Sequence, residues 1–245
     1  MGKPRVALFI TCLADQFLPN VGECVIKVLR HLDVEVTFNP AQTCCGKPAF
    51  NTGFRDEARS VATRVLDLFD DADYIVAPSG SCTSMVRVFY PELFADDPAR
   101  LSKCSQLRER FFEFSEFLVE VLKVEDVGSS FRHRVTYHDS CHLLRELGVG
   151  EAPRKLLRKV QGIDFVEMED QKLCCGFGGT FSVKFPEVSV PMGEDKVRAA
   201  LESGAEYLVA ADGGCLMHIS GLIHRQGLPL KTLHLAEVLA EQEKS

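Results

Sequence analysis

The chain has 245 residues, 46% hydrophobic and 26% charged, the balance of a globular protein with one large or two small domains and a real core. A net charge of −7 excludes the basic footprint of a nucleic-acid or anionic-membrane binder, and no apolar run approaches the roughly 20 residues of a transmembrane segment. Ten cysteines are too sparse for a secreted disulfide scaffold and many for the cytoplasm, where we expect the chain, so they point to metal or redox chemistry.

The first apolar run, residues 5–12 (RVALFITC), is too short for the core of a signal peptide and has no small-residue cleavage site before Asp15. It reads as a buried strand ending in Cys12. A helical period follows over 21–32, with Val21, Cys24, Val25, Val28, Leu29 and Leu32 on one stripe. A second extended run from Val34 leads to Cys44-Cys45-Gly46, a second helical segment covers 56–69, and a third run (ADYIVAPSGSC) ends in Cys82. Residues 94–130 are mixed and largely helical, and Gly128-Ser129-Ser130 marks the best boundary.

The series then repeats. Residues 134–141 (RVTYHDSC) end in Cys141, the run from Ile163 leads to Cys174-Cys175-Gly176, and 205–215 (AEYLVAADGGC) end in Cys215. Helical segments over 152–160 and 191–204 separate them, the latter with Gly204 as its C-terminal cap. The matched cysteines are offset by 129, 130 and 133 residues, giving C-x31-CCG-x35-C and C-x32-CCG-x38-C. A duplication follows, with domains at 1–128 and 129–245. The segment EFLVEVLKVED near residue 120 faintly echoes LHLAEVLAEQE before a short polar C-terminal tail.

Strands alternating with helices predict an α/β fold of two pseudo-twofold-related, Rossmann-like lobes, each with a parallel sheet. Functional groups of such sheets gather beyond the carboxyl ends of the strands. Every repeated cysteine follows a strand, so those more than 30 residues apart in sequence are expected to converge.

Four readings of the cysteines compete. Cys24 and Cys104 lie on helices outside the repeat and read as core thiols. A disulfide between adjacent cysteines is strained and labile, a redox device at most. Four thiolates per half suit tetrahedral zinc, although zinc knuckles normally space their cysteines two to four residues apart. Iron–sulfur clusters, which spread several iron atoms over a few ångströms, best suit consecutive cysteines. Gly46 or Gly176 allows the sharp backbone that would turn both inward, and amides of GFGG are placed to hydrogen-bond sulfide. Zinc- or thiol-based regulatory binding on the same fold stays open as the alternative.

Other motifs are weak. GFGGTF is not G-x-G-x-x-G, and there is no P-loop or G-x-S-x-G. His138, Asp139 and His142 around Cys141 suggest a cysteine–histidine nucleophile, but Asp139 and His142 lack counterparts around Cys12. They read as loop-orienting groups, with His142 retained as a candidate catalytic proton relay. Lys184 and Arg145 read as solvated surface.

The segments FITCLADQF, CCGKPAFNTG, PSGSCTSM, SCHLLRELGV, CCGFGGTFSVK and GCLMHISG resemble, over the whole chain, the cysteine-rich CCG-domain family. That family includes a heterodisulfide reductase component and the iron–sulfur subunits of glycolate oxidase and anaerobic glycerol-3-phosphate dehydrogenase. The resemblance implies an oxidoreductase subunit that transfers electrons in oxidising L-lactate to pyruvate, with two partners, lactate utilisation proteins B and C. It implies one or two clusters per chain, of the [4Fe-4S] type, on Cys12, Cys44, Cys45 and Cys82 and on Cys141, Cys174, Cys175 and Cys215. The family motif ends in C-x-x-C, whereas this chain has Met85 and His218 at the last position. Each half therefore keeps four cysteines, enough for a cubane. His218 is a candidate imidazole ligand, Met85 reads as core, and the second half is the preferred site if only one is filled.

Overall fold

The computed structural model describes residues 3–242; the last three residues of the polar tail lie outside them. Two four-stranded sheets form, each wholly parallel. The first contains β1 (Arg5–Leu8), β2 (Glu35–Phe38), β3 (Tyr74–Ala77) and β4 (Phe111–Glu113), in the order β2-β1-β3-β4. The second contains β5 (Arg134–His138), β6 (Asp164–Phe165), β7 (Tyr207–Ala210) and β8 (Lys231–His234), in the order β6-β5-β7-β8. The duplicated α/β architecture read from the sequence is therefore present.

The strand order fixes where a site can form. From β1 the chain moves outward to β2, then crosses back to place β3 on the other side of β1. The carboxyl ends of β1 and β3 flank that reversal, where neighbouring connections leave in opposite directions and open a crevice. Cys12 follows β1 and Cys82 follows β3, while Cys141 and Cys215 follow β5 and β7. Each doublet comes in from the outer strand, β2 or β6.

Both faces of the central strands are buried, and the period of two assigns them to different cores. Ile75 and Ala77 of β3 face a cluster belonging to the first half, with Phe9, Val65 and Phe111. Leu208 and Ala210 of β7 face a cluster of the second half, with Val197 and Ile219. The alternate residues Val6, Leu8 and Val76 join Val135, Tyr137 and Val209 in one core shared by both halves.

Helices crossing between the halves close this shared core. Helix Pro19–His31 buries Val21, Val25, Val28 and Leu29, much of the stripe expected from sequence. The helix lying on it is Leu235–Ala240, from the opposite end of the chain. Reciprocally, the turns Phe114–Glu116 and Phe117–Val121 pack on helix Glu151–Lys159. The faint sequence echo near residues 120 and 237 falls on these two segments, each packed on a helix of the other half. Helix Pro186–Glu202 starts five residues before Pro191, where sequence placed it, because Pro186 occupies the first turn, where a missing N–H is harmless.

Candidate metal centre

Each doublet splits its two side chains between two partners. Cys12 Sγ stands 3.6 Å from Cys44 Sγ, and Cys45 Sγ stands 3.3 Å from Cys82 Sγ. In the second half Cys175 Sγ and Cys215 Sγ lie within 4.8 Å of each other, and Cys141 and Cys174 line the same crevice. Among the described residues all ten cysteines are free thiols.

The local cause is the same in both halves. Gly46 and Gly176 both sit at φ +86°, a conformation open to glycine and strained for other residues. This turn aims the glycine N–H at the first cysteine of the doublet, at 3.4 Å from Cys44 Sγ and 3.4 Å from Cys174 Sγ. The Cys12 thiol donates to Cys44, and that bond holds Cys44 well below the ordinary thiol range; Cys174, beside Cys141 and Cys175, is lowered in the same way. Cys12 and Cys141 are pushed far above the ordinary thiol range by the same bonds, and Cys45 and Cys175 by theirs. Each quartet thus favours a shared thiolate, the form that binds metal.

The two quartets open on one crevice of about 390 Å³, lined by every repeated cysteine except Cys44. A second hollow reaches only Cys174 among the cysteines and is walled by acids such as Glu169, Asp195 and Glu202. The crevice lies where the halves are knit together. Asp212 caps helix Gly213–Gln226 through Gly214 N at 3.1 Å, and also accepts from Ser79 Oγ at 3.0 Å and Ser81 N at 2.9 Å across the junction. Lys47, next to the first doublet, lines the crevice while almost wholly buried, its Nζ 3.8 Å from the centre of the Phe89 ring. Burial pulls its pKa down; Glu146 and the neighbouring thiols oppose that.

His142 and His218 take different places. His142 lines the crevice with Nδ1 2.8 Å from Glu146 Oε2, but the ring N–H is not aimed along that line. Glu146 also accepts from Ser84 Oγ and stands 4.0 Å from Lys47 Nζ. His218 Nε2 is 3.3 Å from the Ser189 carbonyl, and Ser189 Oγ donates to Gly176 O at 2.8 Å. This places His218 behind the doublet turn, where it braces the loop. Its counterpart Met85 is fully buried in the first-half core.

Asp139 is held by the two terminal guanidinium nitrogens of Arg154, each at 2.8 Å, while Arg154 Nε donates to Glu167 at 2.7 Å. Arg145 donates to the Lys172 carbonyl at 3.1 Å.

Lys47, in CCGKP, is a buried group at the site that was not singled out from sequence. His138, read from sequence with Asp139 and His142 as suggesting a cysteine–histidine nucleophile and not as a metal ligand, is fully buried, with a ring nitrogen, Cys175 Sγ and Cys215 Sγ all within 4.8 Å of one another. The available signal was the repeat offset of 129, which sets His138 against Phe9 in otherwise apolar strands.

Soft sulfur donors in touching quartets, with a shared thiolate, fit a metal ion or cluster in each half. The model for the cysteine-rich CCG domain matches residues 6–87 and again 135–220. The chain belongs to the cysteine-rich CCG-domain family. Among its relatives, a lactate utilization protein A from Exiguobacterium sp. is 50% identical over 243 residues, covering 98% of this chain and 99% of its own. The lactate utilization protein A of Bacillus subtilis is 46% identical over 235 residues, covering 96% and 98%. Among solved structures, a hypothetical protein from Helicobacter pylori superposes with a TM-score of 0.68 at 12% identity. It covers all of this chain, which spans 50% of that one, and the likeness is one of fold alone. No helix among the described residues of this CCG-domain chain is long and apolar enough to cross a membrane.

Proposed function

We propose that this chain is the iron–sulfur electron-transfer subunit of a complex that oxidises L-lactate to pyruvate, working in the cytoplasm with lactate utilisation proteins B and C. The observation that carries the reading is the pair of thiol quartets opening on one crevice. Full-length relatives named lactate utilization protein A supply the substrate. Oxidising a 2-hydroxy acid to a 2-oxo acid releases two electrons and two protons, and two one-electron centres match that count. The division into domains 1–128 and 129–245 belongs to the same proposal, and the two CCG matches fall on either side of it.

When bound, a [4Fe-4S] cluster supplies reversible one-electron storage. The chain's own residues do the rest. Cys12, Cys44, Cys45 and Cys82, with Cys141, Cys174, Cys175 and Cys215, provide the thiolates. Gly46 N and Gly176 N direct hydrogen bonds at sulfur and so favour its charged form. Lys47 offsets thiolate charge in the first half. His142, beside Cys141 and Glu146, is placed to take a proton at the crevice mouth.

The test is anaerobic reconstitution with iron and sulfide. Wild type is expected to turn brown and bind iron and sulfide, while Cys45→Ser and Cys175→Ser each lose the share of one half. A chain that stays colourless and takes up zinc instead overturns the proposal in favour of a zinc-binding module.

A further inference from the structure

His138 ends β5, three residues before Cys141, and its side chain is fully buried. Neither Nδ1 nor Nε2 has a hydrogen-bond partner. Buried polar atoms are nearly always satisfied, so an imidazole with two orphaned nitrogens calls for a reason. Packing does not supply one. At the matching position Phe9 fills the space with no polar atom, edge-on to Phe111 at 5.4 Å and tilted on Phe69 at 5.7 Å.

The surroundings point to a metal. A ring nitrogen of His138 and the sulfurs of Cys175 and Cys215 lie mutually within 4.8 Å, a spacing that small shifts close around a common metal atom. His142 and His218 lack this setting, since one faces Glu146 and the other Ser189.

We propose that His138 is a nitrogen ligand to the metal centre of the second quartet, beside Cys175 and Cys215. The two halves then hold chemically different centres, all sulfur next to Phe9 and mixed sulfur and nitrogen next to His138. This inference rests on the reading that the second quartet holds an iron–sulfur cluster.

The experiment uses the full chain, labelled with ¹⁵N-histidine, reconstituted anaerobically with iron and sulfide, reduced with dithionite, and examined by pulsed electron paramagnetic resonance. The expected result is the strong nitrogen coupling of a directly bound imidazole in wild type, His142→Ala and His218→Ala. It is lost in His138→Phe, a side chain the first half already carries at this position, and in His138→Gln, with circular dichroism verifying the fold of each. Persistence of the coupling in a folded His138 variant overturns the proposal. So does an iron-loaded wild type that shows only weak coupling or none. Iron analysis separates the two readings: wild type that binds no iron overturns the cluster assignment and this ligand with it, whereas iron without histidine nitrogen overturns the ligand alone.

Discussion

Gly46 and Gly176 share a backbone conformation but not a neighbourhood. A Cβ at Gly46 would meet the Ala58 carbonyl oxygen at 3.4 Å, an ordinary contact, whereas one at Gly176 would meet the Ser189 carbonyl oxygen at 2.4 Å. Left-handed backbone costs a non-glycine residue about 1–2 kcal/mol. Gly46→Ala is therefore expected to lose about that much stability. Gly176→Ala should lose clearly more, because helix Pro186–Glu202 must shift and the Ser189 contact to the doublet turn is disturbed. Urea titration of the two variants checks this, and equal losses would show that the Ser189 contact carries no weight. The asymmetry was invisible in the sequence, where both glycines follow an identical doublet. It depends on the helix that packs behind each turn.

At the scale of elements, the fourth strand of each sheet runs directly into a capping box. Glu113 caps one helix with Glu116 at the third position, and His234 caps the other with Glu237. The two caps respond to pH in opposite senses. Burial raises Glu113 to about 8, while its unfolded value stays near 4.5. Its contribution is full below pH 4.5, where both states are protonated, and is lost as pH climbs toward 8. Glu113→Gln should therefore raise the urea midpoint relative to wild type at pH 8 and have little effect near pH 4.5.

His234 is lowered by burial to about 4, with Nδ1 accepting from Ala236 N and Nε2 donating to the Pro78 carbonyl of the other half. Its contribution is full above about pH 6.5 and is lost as pH falls toward 4, at up to roughly 1.4 kcal/mol per unit. His234→Asn keeps a good cap and should flatten the stability profile over that range. Parallel curves for variant and wild type would refute it. These strands escaped the sequence reading because β4 has three residues and sits between helical patterns. Its pairing with β3 is a tertiary event.

The whole molecule behaves as two repeats around a common core, and Asp212 is the clearest joint between them. Its carboxylate is nearly buried and serves its own helix, Ser79 Oγ and Ser81 N at once. Asp212→Ala removes a cap worth about 1 kcal/mol and leaves junction donors unpaired, for a total loss of about 2–4 kcal/mol. Because the junction forms the crevice floor, the same variant should bind less iron in both halves. Chemical denaturation with iron analysis measures both effects. A loss below about 1 kcal/mol with full iron would mean that the halves are held by the apolar core alone.

Much of this was written in local pattern. Apolar runs ending in cysteines, the near-constant offsets and the helical stripe on residues 21–32 determined the duplicated α/β fold, the parallel sheets and the eight cysteines placed at strand ends. These are properties of periodicity and repetition, which a single chain displays along its length. Tertiary structure decided the rest: that both quartets share one crevice, that helices of the two halves pack on each other, and that His138 meets cysteines 37 and 77 residues away. Such contacts arise from how the two halves pack around a shared core, and no local period encodes that arrangement.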